Sequence, residues 1–122
     1  MVKTETEHDF WDFLDRLVTA SAITIDRPAG SCHPRYPDMV YPVSYGYLEQ
    51  TTANDGGGID VWLGDPSQKQ VNGIICTVDL QKRDAEIKVV LGCSDQEVEM
   101  ILAFLNQSGM RAFYIERPPK RG

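Results

Sequence analysis

The stretch that decides the fold lies between residues 39 and 93: MVYPVSYGYL (39–48), TTANDGGG (51–58), IDVWL (59–63), VNGIICTVDL (71–80) and EIKVVLGC (86–93). The apolar pieces are short, rich in Val, Ile and Tyr, and bounded by Gly, Asp, Asn or Pro, which is strand chemistry punctuated by turns. The glycine-rich segment 51–58 joins one pair of strands, and the charged turn Gln81 to Ala85 makes a hairpin-like connection between another. Upstream, Phe10, Leu14, Leu17 and Val18 follow helical spacing with Phe13 beside them, so a helix is expected from about Asp9 to Ala20. Ile23 and Ile25 alternate with Thr24 and Asp26 as a short strand that stops at Pro28. Arg27 to Asp38 contains three prolines and reads as a long ordered loop, a class that disproportionately carries function. Downstream, Ser94-Asp95-Gln96-Glu97 has the form of a capping box. Val98, Ile101, Leu102 and Leu105 then give a second helix, Met110 to Glu116 a last strand, and Arg117 to Gly122 a basic tail. The expectation is a mainly β fold with flanking helices, a small closed barrel between an N-terminal and a C-terminal helix, because closure removes exposed strand edges.

Composition narrows the partners. The 122 residues, read as one domain, suffice to bury about two thirds of the unfolded surface without disulfides. Twelve Lys plus Arg against eighteen Asp plus Glu give a net charge of −6, which argues against nucleic acid and against an anionic membrane surface. No apolar run approaches the ~20 residues of a membrane span, and the polar, acidic start lacks the pattern of a secretory signal. Cys32, Cys76 and Cys93 form no CxxC pair, so a reducing, cytoplasmic location is expected.

Three constellations carry chemistry. Asp55-Gly56-Gly57-Gly58-Ile59-Asp60 is, on its own, most simply a turn in which Asp-Gly supplies positive φ. A P-loop is the weaker alternative, since no Lys-Ser or Lys-Thr follows the glycines. Asp79 and Asp84 repeat the same spacing across another strand connection, and in a small barrel the two loops can open at one end. Carboxylates ~4 Å apart repel by about 4 kcal/mol at an effective dielectric of ~20, so four converging acids need cations. Oxygen ligands of this kind select Mg²⁺, Mn²⁺ or Ca²⁺ over zinc. The third constellation is Arg35, Tyr36, Tyr41, Tyr45 and Tyr47, with the last three tyrosines placed on one face of an extended strand by their spacing. Gly46 between them points to close approach by another group. Trp62, alternating with Val61 and Leu63, belongs either to an interface or to a site wall. Cys32-His33 is a weak nucleophile candidate, because neighbours on an extended chain face opposite ways.

In order and separation, Tyr41-Pro42-Val43-Ser44-Tyr45-Gly46-Tyr47, Asp55-Gly56-Gly57-Gly58-Ile59-Asp60-Val61, and the pair Asp79 and Asp84 resemble the family I soluble inorganic pyrophosphatases. Their pattern is YPxNYGY, then DGDPxDV, then Asp-x4-Asp. Ile25-Asp26-Arg27-Pro28 and Arg35-Tyr36 also match, so the resemblance covers about Ile25 to Leu91. It implies a five-stranded barrel of OB type and Mg²⁺-dependent hydrolysis of pyrophosphate to phosphate, with Mn²⁺ as a substitute. It implies Asp55, Asp60, Asp79 and Asp84 as metal ligands, with Asp55, Asp60 and Tyr45 in the catalytic set. Arg35 and Tyr45 match groups that hold phosphate, and Asp26 and Tyr41 lie around them. The resemblance departs at Gly57, where the family has the aspartate thought to orient the attacking water, and at Ser44. Glu86 replaces a lysine, with Lys88 on the same strand face as its stand-in for substrate binding. These departures keep two alternatives open: a catalytically weakened module that binds divalent metal and phosphate, and a hydrolase of another phosphoanhydride. Trp11 and Trp62 leave self-association into a homo-oligomer open.

Overall fold

A computed structural model describes residues 4–119. The chain forms α1 (Thr4–Thr19), β1 (Ile23–Arg27), β2 (Ser44–Leu48), β3 (Ile59–Leu63), β4 (Val71–Asp79), β5 (Asp84–Leu91), α2 (Asp95–Leu105) and β6 (Met110–Glu116). All six strands share one sheet in the order β1-β2-β3-β5-β4-β6. Pairing is antiparallel except between β3 and β5, which run parallel.

The closed five-stranded barrel expected from the sequence is not what forms. The sheet order has two ends, β1 and β6. The outer edge of β4, which a closing strand would need, is taken by β6 from Gly73↔Glu116 to Asp79↔Met110. The centre of the sheet is instead buried on both faces. Val61, Leu63, Val89, Leu91 and Ile74 pack with Trp11 and Val18 of α1 in one cluster, while Trp62, Val90 and Ile75 pack with Val98, Ile101 and Leu105 of α2 in another. Because successive side chains of a strand point to opposite faces, the uninterrupted runs Val61-Trp62-Leu63 and Val89-Val90-Leu91 are the sequence mark of this two-sided burial.

The inward stripe of α1 is Trp11, Leu14 and Val18, whereas Phe10, Phe13 and Leu17 are exposed, one helical position away from the face expected. Trp11 offers the larger area to bury, and the i, i+3, i+7 spacing serves it as well as it would Phe10. A two-pronged ion pair from Arg117 to Asp15 then ties the end of β6 to α1. The capping box of α2 forms as expected: Ser94 Oγ accepts from Glu97 N, and Glu97 Oε1 accepts from Ser94 N.

Residues 39 to 43 do not join β2. Pro42 has no N–H to give a ladder. The backbone bonds there go to the preceding loop, from Tyr41 N to Ser31 O and from His33 N to Met39 O. Gly46 is the close approach anticipated, for a Cβ at this position would fall on the Thr24 carbonyl oxygen and within 2.8 Å of Ile25 Cα. Gly46→Val is therefore expected to push β1 off β2 and to cost roughly 3 kcal/mol, the upper range for overpacking, measured as a lowered urea midpoint.

Candidate active site

The site is built on the sheet face that α2 covers. Along β5, alternation puts Asp84, Glu86, Lys88 and Val90 on this face. The parallel register sets Asp60 of β3 opposite Lys88, and the antiparallel register sets Tyr45 of β2 opposite Trp62. Lys88 is 5% exposed. Its Nζ donates to Tyr45 Oη at 2.8 Å, to Asp60 Oδ2 at 3.0 Å and to Glu86 Oε1 at 3.0 Å. An ammonium has three donors, and all three are used. Burial works against the charge, but Tyr45, Asp60 and Glu86 more than offset it and raise the Lys88 pKa. Burial also holds the Tyr45 phenol well above its ordinary value; Lys88 opposes this shift and Asp60 adds to it. Tyr45 is therefore a neutral phenol that accepts from Lys88 and keeps its own hydrogen to donate, to Asp60 or to an oxygen of a bound anion.

An aromatic wall backs this cluster. The Tyr45 ring lies 4.6 Å from that of Trp62 and 5.8 Å from that of Tyr41, and Tyr41 lies 4.7 Å from Phe104 of α2. Trp62 is a wall residue and not an interface one, being 1% exposed, and among the described residues its Nε1–H has no acceptor. Such a wall keeps water from one side of Lys88 and strengthens the interactions it makes.

The loop between β1 and β2 supplies the rim. His33 Nδ1 accepts from the backbone N–H of Arg35 at 3.0 Å and of Tyr36 at 3.2 Å, and its ring stacks parallel to Tyr41. The neutral imidazole thus carries its hydrogen on Nε2. Partial burial, and then Arg27, Arg35 and Lys82, push the His33 pKa below its ordinary 6.5. Cations from this loop and from the β4–β5 turn therefore act together on one spot.

The residues expected from sequence are brought together only in part. Tyr45, Asp60 and Lys88 converge. Asp79 and Asp84 are direct cross-strand partners at the other end of the same face, and Asp79 Oδ1 is occupied by the backbone N–H groups of Gln81 and Lys82. Asp55 is exposed in its own loop, where Oδ1 accepts from Gly57 N, the plain turn role. Arg35 and Asp26 are exposed, and Tyr41 is buried beneath His33. Glu86, seen from sequence only as a missing lysine, is a partner of Lys88, and their i, i+2 spacing on one strand was the available signal. His33 was underrated because its value lies in the backbone turn it caps.

Among the described residues, no three His, Cys, Asp or Glu side chains converge as a ligand set for a metal ion. An ammonium stands between Asp60 and Glu86, and a divalent ion ~4 Å from it would be repelled by roughly 8 kcal/mol at an effective dielectric of ~20. As arranged, these acids do not fit a resident divalent cluster.

No protein-family model matches the chain, and no curated protein sequence matches it either. Its fold is shared with solved bacterial pyrophosphatases. The chain is similar to an inorganic pyrophosphatase from Neisseria gonorrhoeae over 73% of this chain and 77% of that one, with a TM-score of 0.54 and 19% identity. For the inorganic pyrophosphatase of Helicobacter pylori the coverage is 77% and 81%, the TM-score 0.53 and the identity 13%. For that of Coxiella burnetii the coverage is 77% and 82%, the TM-score 0.51 and the identity 17%. At these identities the likeness defines a pyrophosphatase-type fold.

The rim makes a direct prediction. In an NMR titration His33 is expected to show a pKa below 6.5 in the free protein, and saturating pyrophosphate is expected to raise it by screening Arg27, Arg35 and Lys82. Because the folded-state pKa is depressed, His33 takes nothing from stability above about pH 6.5 and destabilises the fold as pH falls below it.

Proposed function

We propose that this chain hydrolyses inorganic pyrophosphate to two phosphates, accepting it as its magnesium complex. The observation that carries this reading is the meeting of Tyr45, Asp60 and Lys88 at one point of a fold whose solved neighbours are inorganic pyrophosphatases. Magnesium, or manganese in its place, enters with the substrate and so counts as part of it. The side chains offered to it would be the carboxylates of Asp79 and Asp84, which the β4–β5 register sets opposite one another.

The work of the chain's own residues follows from their chemistry. Arg35, with Lys82 and the Nε2–H of His33, binds terminal phosphate oxygens at the rim. Tyr45 donates its phenolic hydrogen to a substrate oxygen on which charge builds, and Lys88 fixes the phenol for that purpose. Asp60 uses one oxygen to hold Lys88 and has the other to take a proton from the attacking water. The water oxygen bonds to one phosphorus as the bridging P–O bond breaks, and the second phosphate departs with the bridging oxygen. Tyr41 supports Tyr45 and His33 from beneath, and Asp55 shapes the loop beside Asp60.

One observation favours a second reading, a module that binds a phosphoanhydride with little or no turnover. Gly57 brings no carboxylate to the loop before Asp60, although a Cβ there would meet only Asp55 Oδ1, at 3.4 Å. A phosphate-release assay with pyrophosphate and either Mg²⁺ or Mn²⁺ separates the two. Hydrolysis is expected, with release falling roughly 10²-fold in Asp60→Asn and in Tyr45→Phe. Gly57→Asp, which the loop has room for, is expected to raise the rate. No release from the wild type, with pyrophosphate still bound, would leave the binding module standing.

A further inference from the structure

We infer that Lys88 is the resident cation of this site, its ammonium holding Asp60 and Glu86 in the role that a bound divalent metal ion would otherwise fill. The inference concerns how the site is assembled and holds whether or not the chain turns pyrophosphate over.

Geometry carries it. A lysine that binds substrate keeps at least one donor free and one side open to solvent. Lys88 has neither, being 5% exposed with its three donors given to Tyr45, Asp60 and Glu86. Its partners come from β2, β3 and β5, so one charge cross-links three strands, as a metal ion does when its ligands come from separate elements. Nζ also lies 5.2 Å from the centre of the Tyr45 ring against 2.8 Å from its oxygen, which places it beyond Oη, so the phenol is held through its oxygen. The remaining acids form no alternative centre, because among the described residues no three converge. A divalent ion bridging Asp60 and Glu86 would have to stand where Nζ stands.

The substituted role has consequences that a merely structural lysine would not share. With the ammonium in place, one of the two carboxylate charges it touches is cancelled and both carboxylates are held before any ligand arrives, and the fold is insensitive to chelation. Without it, two carboxylates are left facing one another at a site shaped for a cation, and a metal ion becomes the remaining way to satisfy them.

The test uses Mn²⁺ as the probe and needs no turnover. Thermal unfolding of the wild type in EDTA and in millimolar MnCl₂ is expected to give superimposable curves. Lys88→Met keeps the apolar stem and removes the charge; it is expected to unfold earlier in EDTA, to be partly rescued by MnCl₂, and to bind Mn²⁺ at least roughly tenfold more tightly than the wild type, since the repelling charge has gone. Lys88→Arg is expected to restore metal insensitivity. Lys88→Met that folds but gains neither rescue nor affinity overturns the inference. Should Lys88→Met not fold, Mn²⁺ titration of the wild type against Asp60→Asn decides. Tight binding that Asp60→Asn abolishes overturns the inference, and binding that is absent or indifferent to Asp60→Asn supports it.

Discussion

A buried ammonium must be paired or give up its proton, and Lys88 is buried and paired on every donor. That requirement fixes much of the surrounding architecture. Tyr45 and Asp60 reach Nζ only if β2, β3 and β5 keep their register, while Glu86 approaches it from two residues away on β5 itself. A slip of one residue along β5 would turn Lys88 to the face of Val61 and Leu63, which α1 covers. Removing one partner of a buried charge costs about 3–5 kcal/mol, so the penalty for mispairing is large beside the total stability of a small domain. The uninterrupted apolar run Val89, Val90 and Leu91 suits either face and does not itself choose between registers. The charge of Lys88 and its partners on β2 and β3 therefore decides the arrangement of the central strands.

From this centre order is passed outward through rings. Lys88 holds Tyr45, Tyr45 lies against Tyr41, and Tyr41 carries His33, whose Nδ1 caps the turn that displays Arg35. The loop is long, yet the backbone bonds from Gly30 N to Tyr41 O and from Tyr41 N to Ser31 O close it at its base. A long segment closed at its base and stacked at its middle loses little further entropy when a ligand engages its tip. Residues 39 to 43 serve this loop, which explains why Tyr41 shares a side with Tyr45 without belonging to the same strand.

Much of this was legible in the sequence, and the misses have physical causes. Strand positions, the α2 capping box and the close approach at Gly46 depend on local chemistry, where residue identity nearly decides the outcome. Closure was not legible, because it turns on whether β6 or β1 takes the free edge of β4, a competition between distant segments. The inward face of α1 was missed by one position since Phe10 and Trp11 are both large and apolar, and only the sheet beneath discriminates between them. The acid cluster was misjudged for a subtler reason. Spacing showed that Asp55 and Asp60, and Asp79 and Asp84, recur across strand connections. It did not show that Asp55 and Asp79 each give an oxygen to a backbone turn, or that the cation already present is a lysine on β5.

The arrangement also bears on how, under the proposed function, a chain of net charge −6 would receive an anion. Lys88 cancels one of the two acids it touches, and Asp79 and Asp84 leave two further negative charges on the same face. Arg27, Arg35 and Lys82, whose charges all reach His33, set a positive surplus at the rim. Bare pyrophosphate would find its terminal oxygens attracted by that rim and the rest of its charge repelled by the acidic floor. Under the proposed function, the same anion carrying a divalent ion on one side would meet both, its uncovered oxygens toward the guanidinium and ammonium groups and its metal toward Asp79 and Asp84. Such a two-sided match would favour the metal complex over the bare anion without any metal being held beforehand. Under the proposed function, a lysine-filled centre and a metal-bearing substrate are therefore compatible, the first keeping the floor assembled and the second supplying the charge the floor still lacks.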